Sequence, residues 1–153
     1  MVAIGQTFEV GDHDFSKISL TPTVILLNEI PEDINGSWYR GTPHILVKST
    51  ALKPSTALRN AREIANALVK KYGNINNVPP ILVLYTDGGP EHRTNFLSVK
   101  IAAIALYKYL NLDMIVIART APGHSFSNPA EKVNCVLNLG LYTIGVMRSK
   151  VLI

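Results

Sequence analysis

Two carboxylates stand where metal-assisted chemistry is commonly built. Asp87 directly follows the apolar run Ile81-Leu82-Val83-Leu84-Tyr85-Thr86 and precedes the chain-breaking Gly88-Gly89-Pro90. An acid at the tip of a core strand lies where a sheet ends and a cleft begins. Glu131 closes the segment His124-Ser125-Phe126-Ser127-Asn128-Pro129-Ala130-Glu131, in the first turn of a predicted helix. Phosphodiester transfer needs charge neutralised on an attacking and on a leaving oxygen, and two magnesium ions about 4 Å apart do this. Magnesium takes oxygen ligands and keeps several waters, so two or three acids from different elements suffice. The functional question is whether Asp87 and Glu131 meet. Each acid also has a purely structural reading. Asp-Gly-Gly-Pro is a turn sequence, and Asn128-Pro129-Ala130-Glu131 is a good helix start, with Asn at N-cap, Pro at N1 and Glu at N3.

The elements that must position these acids follow from the apolar pattern. A β-prone stretch covers 2–10, and Gly11-Asp12-His13-Asp14 reads as a turn. Strands are predicted over 21–28, with Pro22 near its start, and over 43–48. Between Ser55 and Tyr72, Leu58, Ala61, Ile64, Ala65, Leu68, Val69 and Tyr72 form the stripe of an amphipathic helix that Gly73 stops. Arg59, Arg62, Lys70 and Lys71 take its outer face. The continuous apolar run of the strand at 81–86 predicts cover on both faces. A helix over roughly 94–110 is apolar nearly all round, the strand Met114-Ile115-Val116-Ile117-Ala118 follows, and a third helix runs over about 129–140. The order is β-β-β-α-β-α-β-α, antiparallel strands first and crossover units after.

Composition bounds the answer. A chain of 153 residues, 47% hydrophobic and 17% charged, is one well-packed domain. The net charge of +4 suits a polyanionic partner without demanding one. Cys135 is the only cysteine, so disulfides and cysteine-based zinc sites within the chain are excluded; it reads as a core thiol in a reducing compartment. No apolar run reaches the roughly 18 residues of a membrane span, and the N-terminal residues lack the pattern of a secretory signal.

The element order is that of the ribonuclease H-like α/β fold, with a mixed five-stranded sheet, three antiparallel strands then two parallel, flanked by helices. With the Asp87 and Asn128-Pro129-Ala130-Glu131 motifs, the chain resembles the DDE transposase and integrase superfamily over nearly its whole length. Mariner-type and related insertion-sequence enzymes are the nearest in character. The resemblance makes Asp87 the second catalytic acid and Glu131 the third, both as ligands of Mg2+ or Mn2+. It implies DNA as partner, an intracellular site in nucleus or cytoplasm, and a possible homo-oligomer. The family's first acid is an Asp on the first strand, and this chain departs from it there. No acid lies inside 2–8, so the expected Asp falls on or before Met1 and the chain reads as a catalytic core truncated at its N-terminus. Asp12 or Asp14 substitutes only if the strand assignment shifts by several residues; His13 between them makes only a superficial metal triad, since sequence neighbours point in different directions.

Five further residues are candidate nucleic-acid contacts: His92 and Arg93 just past Asp87, Arg119 at the end of a strand, and His124 and Asn128 before the third helix. Each of these also reads as an ordinary loop or capping residue. Arginines and lysines at 48, 53, 59, 62, 70 and 71 offer either a DNA-tracking face or a solvated helix face. Trp38, Tyr39 and Arg40 offer a stacking platform or an aromatic plug. Three functions compete: a metal-dependent DNA strand-transferase core, a catalytically inactive DNA- or protein-binding module descended from one, and an unrelated α/β domain with a small-molecule cleft. The last requires Asp87 and Glu131 to lie far apart.

Overall fold

The computed structural model describes residues 20–49, 55–87, 89, 91–121, 124 and 127–141. The strand expected over 2–10, and with it Asp12, His13 and Asp14, lies outside the described residues, as does Lys53. Strands β1 (Leu20–Asn28) and β2 (Gly41–Ser49) form an antiparallel ribbon whose register runs from Leu20 opposite Ser49 to Asn28 opposite Gly41. Pro22 and Pro43 both sit in it. Among the described residues both are edge strands, where a missing N–H is tolerated. At the mouth of the ribbon Gly41 is required sterically: a Cβ there would collide with the Leu27 carbonyl oxygen.

Helix α1 (Ala57–Tyr72) begins at Thr56, whose hydroxyl accepts the Arg59 N–H at 3.2 Å, and ends at Gly73, left-handed at φ 74°. Lys70 and Lys71 in its last turn complement the helix dipole. Thr56→Ala removes the cap from an exposed position. It is expected to cost about 1 kcal/mol, read as a fall in melting temperature of roughly 2–4 °C.

Strand β3 (Ile81–Thr86), helix α2 (Leu97–Tyr109) and strand β4 (Met114–Arg119) make a crossover unit with β3 and β4 parallel, Ile81 beside Met114 and Thr86 beside Arg119. Helices α1 and α2 pack together over one face of this pair. Ala61, Ala65, Leu68, Ala102, Leu106, Leu110 and Leu112 form the buried centre, with Leu82, Leu84, Ile115 and Leu27 against it. Helix α3 (Pro129–Leu141) lies against β1. Among the described residues no helix is long and apolar enough to cross a membrane.

The structure corrects the sheet. Among the described residues, in place of one five-stranded mixed sheet of ribonuclease H-like order there are two separate two-stranded sheets, β1 with β2 and β3 with β4. Apolar pattern reports that a strand exists and which side is wet; pairing is decided by backbone ladders, and here the ladders close within each pair. The two sheets are tied by side chains instead, through Leu27 of β1 in the core shared by α1 and α2. The second correction concerns cover. Ile81, Val83 and Tyr85 are 57, 64 and 47% exposed, so β3 is covered on one face only. Cys135 is exposed rather than a core thiol, because α3 turns that side away from β1.

Candidate functional site

The site is built where β3 ends. The Thr86 carbonyl accepts two hydrogen bonds from Thr120, from its backbone N–H and its hydroxyl, each at 2.8 Å. This ties the end of β3 to the segment leaving β4. Asp87 then accepts the Gly89 N–H at 3.0 Å through Oδ1, an Asx turn, and the His92 N–H donates to the Gly89 carbonyl at 2.9 Å. These two turns fold the chain back on itself, and Asp87, Glu91 and His92 all face one cleft.

The opposite wall is the start of α3. Asn128 is buried at 6% exposure and caps the helix, its Oδ1 accepting the Ala130 N–H at 3.1 Å. Pro129 takes the first helical position, so Glu131 falls at N3 as its spacing predicts. Among the described residues the return bond of a capping box, from the Asn128 N–H to the Glu131 carboxylate, is absent, and Glu131 faces the cleft. One turn further along, Asn134 lines the same wall; its side-chain oxygen is buried without a hydrogen-bond partner. Asp87 and Glu131 thus line one cleft of about 320 Å³, which β1 walls on one side through Pro22–Leu26.

The floor comes from α1, and Lys48 of β2 joins a charge network with it. Lys48, 2% exposed, sets its ammonium 2.8 Å from Glu63 Oε2, 2.7 Å from Asn60 Oδ1 and 3.3 Å from Ser55 Oγ. Asn60 Oδ1 and Ser55 Oγ accept its hydrogen bonds, and Glu63 Oε2 is its ion-pair partner. Glu63 Oε1 accepts from Arg59 Nε at 2.9 Å. With its oxygen held by Lys48, Asn60 turns its amide nitrogen toward Glu91 Oε2, 3.4 Å away. Asn60, Glu63 and Glu91 all line the cleft.

Of the residues singled out by sequence, the structure brings together Asp87, His92, Asn128 and Glu131. Arg93, Arg119 and His124 stand outside the cleft lining on exposed positions. The Arg93 guanidinium lies 5.9 Å from the centre of the Phe96 ring, and Arg119 ends β4 beside Thr86. Lys48 leaves the proposed basic face, since it is buried and ion-paired. Trp38 and Tyr39 are half exposed rather than plugging a loop, and Lys132 lies 3.7 Å over the Tyr39 ring.

Glu91, Asn60, Glu63 and Asn134 were missed by sequence, and Lys48 was read as part of a basic face rather than as a buried ion pair. The signal for Lys48 was present: His44, Leu46 and Lys48 share one face of β2, and the structure turns that face inward while Ile45 and Val47 point out. The usual rule that apolar residues face the core would have assigned the opposite side.

The donor set is one of hard oxygens, the kind that divalent cations such as magnesium take. Among the described residues no three His, Cys, Asp or Glu side chains cluster tightly enough to hold one ion. Asp87 and Glu131 line the same cleft, and a hydrated magnesium or manganese ion needs few protein ligands. A three-acid, two-metal set is not present among the described residues. Compared with known proteins, this chain matches no family model, no curated protein and no solved structure.

Proposed function

We propose that the cleft binds a divalent cation, Mg2+ or Mn2+, and through it the phosphodiester backbone of DNA, in a centre of the DDE transposase type. The observation that carries this is the convergence of Asp87 and Glu131, from the end of β3 and the start of α3, on one cleft. When bound, the cation supplies charge neutralisation at the phosphate. The chain's own residues do the rest. Asp87 and Glu131 hold negative charge at fixed positions because one is locked by an Asx turn and the other by the first turn of a capped helix. His92, on the cleft wall, would donate a hydrogen bond to a phosphate oxygen, and Asn128 lines the same cleft. An intracellular setting, nuclear or cytoplasmic, and self-association belong to the same reading.

A second reading rests on the two-acid count. With no third acid clustered among the described residues, the cleft is also suited to cation-assisted DNA binding without strand cleavage. One experiment separates the two. Mn2+ affinity is measured by calorimetry, and nicking of a labelled duplex is followed in Mg2+ or Mn2+. Asp87→Asn and Glu131→Gln are each expected to weaken Mn2+ binding by 10-fold or more, on the order of the losses that follow disturbance of a metal site. Metal-dependent nicking lost in both variants supports the catalytic reading. Salt-dependent DNA binding with no nicking supports the binding module. Mn2+ affinity unchanged in both variants rules out the cleft as the cation site.

A further inference from the structure

We infer that the chain self-associates head to tail, the loop between β1 and β2 of one copy seating in the groove between α1 and α2 of a second copy. This stands independently of the cation reading of the cleft. The loop, residues 29–40, is closed at its base by the Glu29 N–H, which donates to the Arg40 carbonyl at 3.0 Å. It holds large apolar side chains out to water: Ile30 and Ile34 are 83 and 89% exposed, and Trp38 is half exposed. Its shape is fixed from within. Asp33 Oδ1 accepts the Asn35 N–H at 2.8 Å, the Asp33 carbonyl accepts the Gly36 N–H at 2.8 Å, and Ser37 Oγ accepts the Tyr39 N–H at 3.3 Å. Lys132 of α3 lies over the Tyr39 ring and ties the loop to the body of the protein. Clustered apolar side chains on a polar-rimmed surface mark an interaction site, and a loop already in shape loses little ordering entropy on docking.

The groove matches the loop in polarity and in charge. It is a cleft of about 710 Å³ lined by Ala61, Ala65 and Leu106 and by Leu58 and Tyr109, each of the last two 61% exposed. Arg59 and Arg62 line it as well. The two helices that form it expose Arg62, Lys70, Lys71, Lys100 and Lys108. Neither exposes a carboxylate, because Glu63, the one acid of α1, is buried against Lys48 and α2 has none. The loop carries the opposite balance, with Glu29, Glu32 and Asp33 exposed against a single cation, Arg40. Such opposed charge steers and registers a docking. The loop does not fill the groove of its own chain, since both of its isoleucines stand in water. A second copy brings an acidic, apolar loop to each basic, apolar groove. Loop and groove are different surfaces, so the contact is heterologous and repeats from copy to copy.

Sedimentation velocity of the whole chain across the micromolar range tests the assignment. The sedimentation coefficient is expected to rise with concentration. Ile34→Asp in the loop and Arg62→Glu at the groove are each expected to weaken association by about 10-fold or more, with melting temperatures unchanged because both positions are exposed. A mixture of the two variants is expected to form a dimer that grows no further, since each brings the half that the other lacks. Ile104→Ser, on the outward face of α2 and outside the groove lining, is expected to leave association intact. A wild-type chain that stays monomeric over the whole range overturns the inference. So does association that survives both Ile34→Asp and Arg62→Glu, or a mixture of these two that does not pair. Association lost in Ile104→Ser alone places the contact on the outward face of α2 and overturns it as well.

Discussion

Glu63→Leu is expected to destabilise the protein by about 3–5 kcal/mol, because it strips the counter-charge from a buried ammonium. Lys48 is 2% exposed and would retain only two neutral acceptors, Asn60 Oδ1 and Ser55 Oγ. Over a chain of this size that loss is a melting-temperature drop of roughly 6–20 °C. Lys48→Met should cost less, about 1–3 kcal/mol, since Glu63 keeps Arg59 Nε at 2.9 Å and Arg59 reaches solvent. The double variant Lys48→Met with Glu63→Leu places two apolar side chains where two charges stood, and should be more stable than Glu63→Leu alone. Urea denaturation of the four proteins measures the coupling. Strictly additive effects would show that the pair is not the unit described above.

Leu106→Ala is expected to cost about 2–5 kcal/mol. Leu106 is 3% exposed at the centre of the core that α1 and α2 share, where a lost side chain leaves a cavity that neighbouring helices cannot close. Ile104→Ser, two residues earlier on the same helix, should change stability by no more than about 0.5 kcal/mol. Ile104 is 57% exposed. Thermal melts of the two variants side by side give the contrast. Equal losses would mean that the face of α2 carrying Ile101 and Ile104 is covered in solution.

That contrast shows where sequence reading runs out. Helix α2 is apolar on nearly all sides, so its own pattern cannot say which stripe is core; the answer comes from α1, which presents Ala61, Ala65 and Leu68 to one side of it. Helix α1 was legible because its apolar residues fall on a single stripe and its ends carry a Thr cap and a left-handed Gly. The same holds for the helix start at Asn128 and Pro129 and for the strand end at Asp87, which local turn and cap chemistry specify without help from the rest of the chain. Strand pairing was not legible. Ladders join residues far apart in sequence, and nothing in the apolar pattern of β1 or β3 states its partner, so the five-stranded sheet was expected where two ribbons stand.

By itself, then, the sequence determined the elements from β1 to α3, their caps and the two acids at element ends, because each depends on residues within a few positions of one another. The tertiary structure alone decided that Asp87 and Glu131 face one cleft, that Glu91 joins them there, and that Lys48 lies beneath it as half of a buried ion pair rather than on a basic surface. The reason is physical. Convergence in space and burial of charge are set by how helices pack on strands, and a lysine written in the sequence carries no mark of whether its ammonium will meet water or a carboxylate.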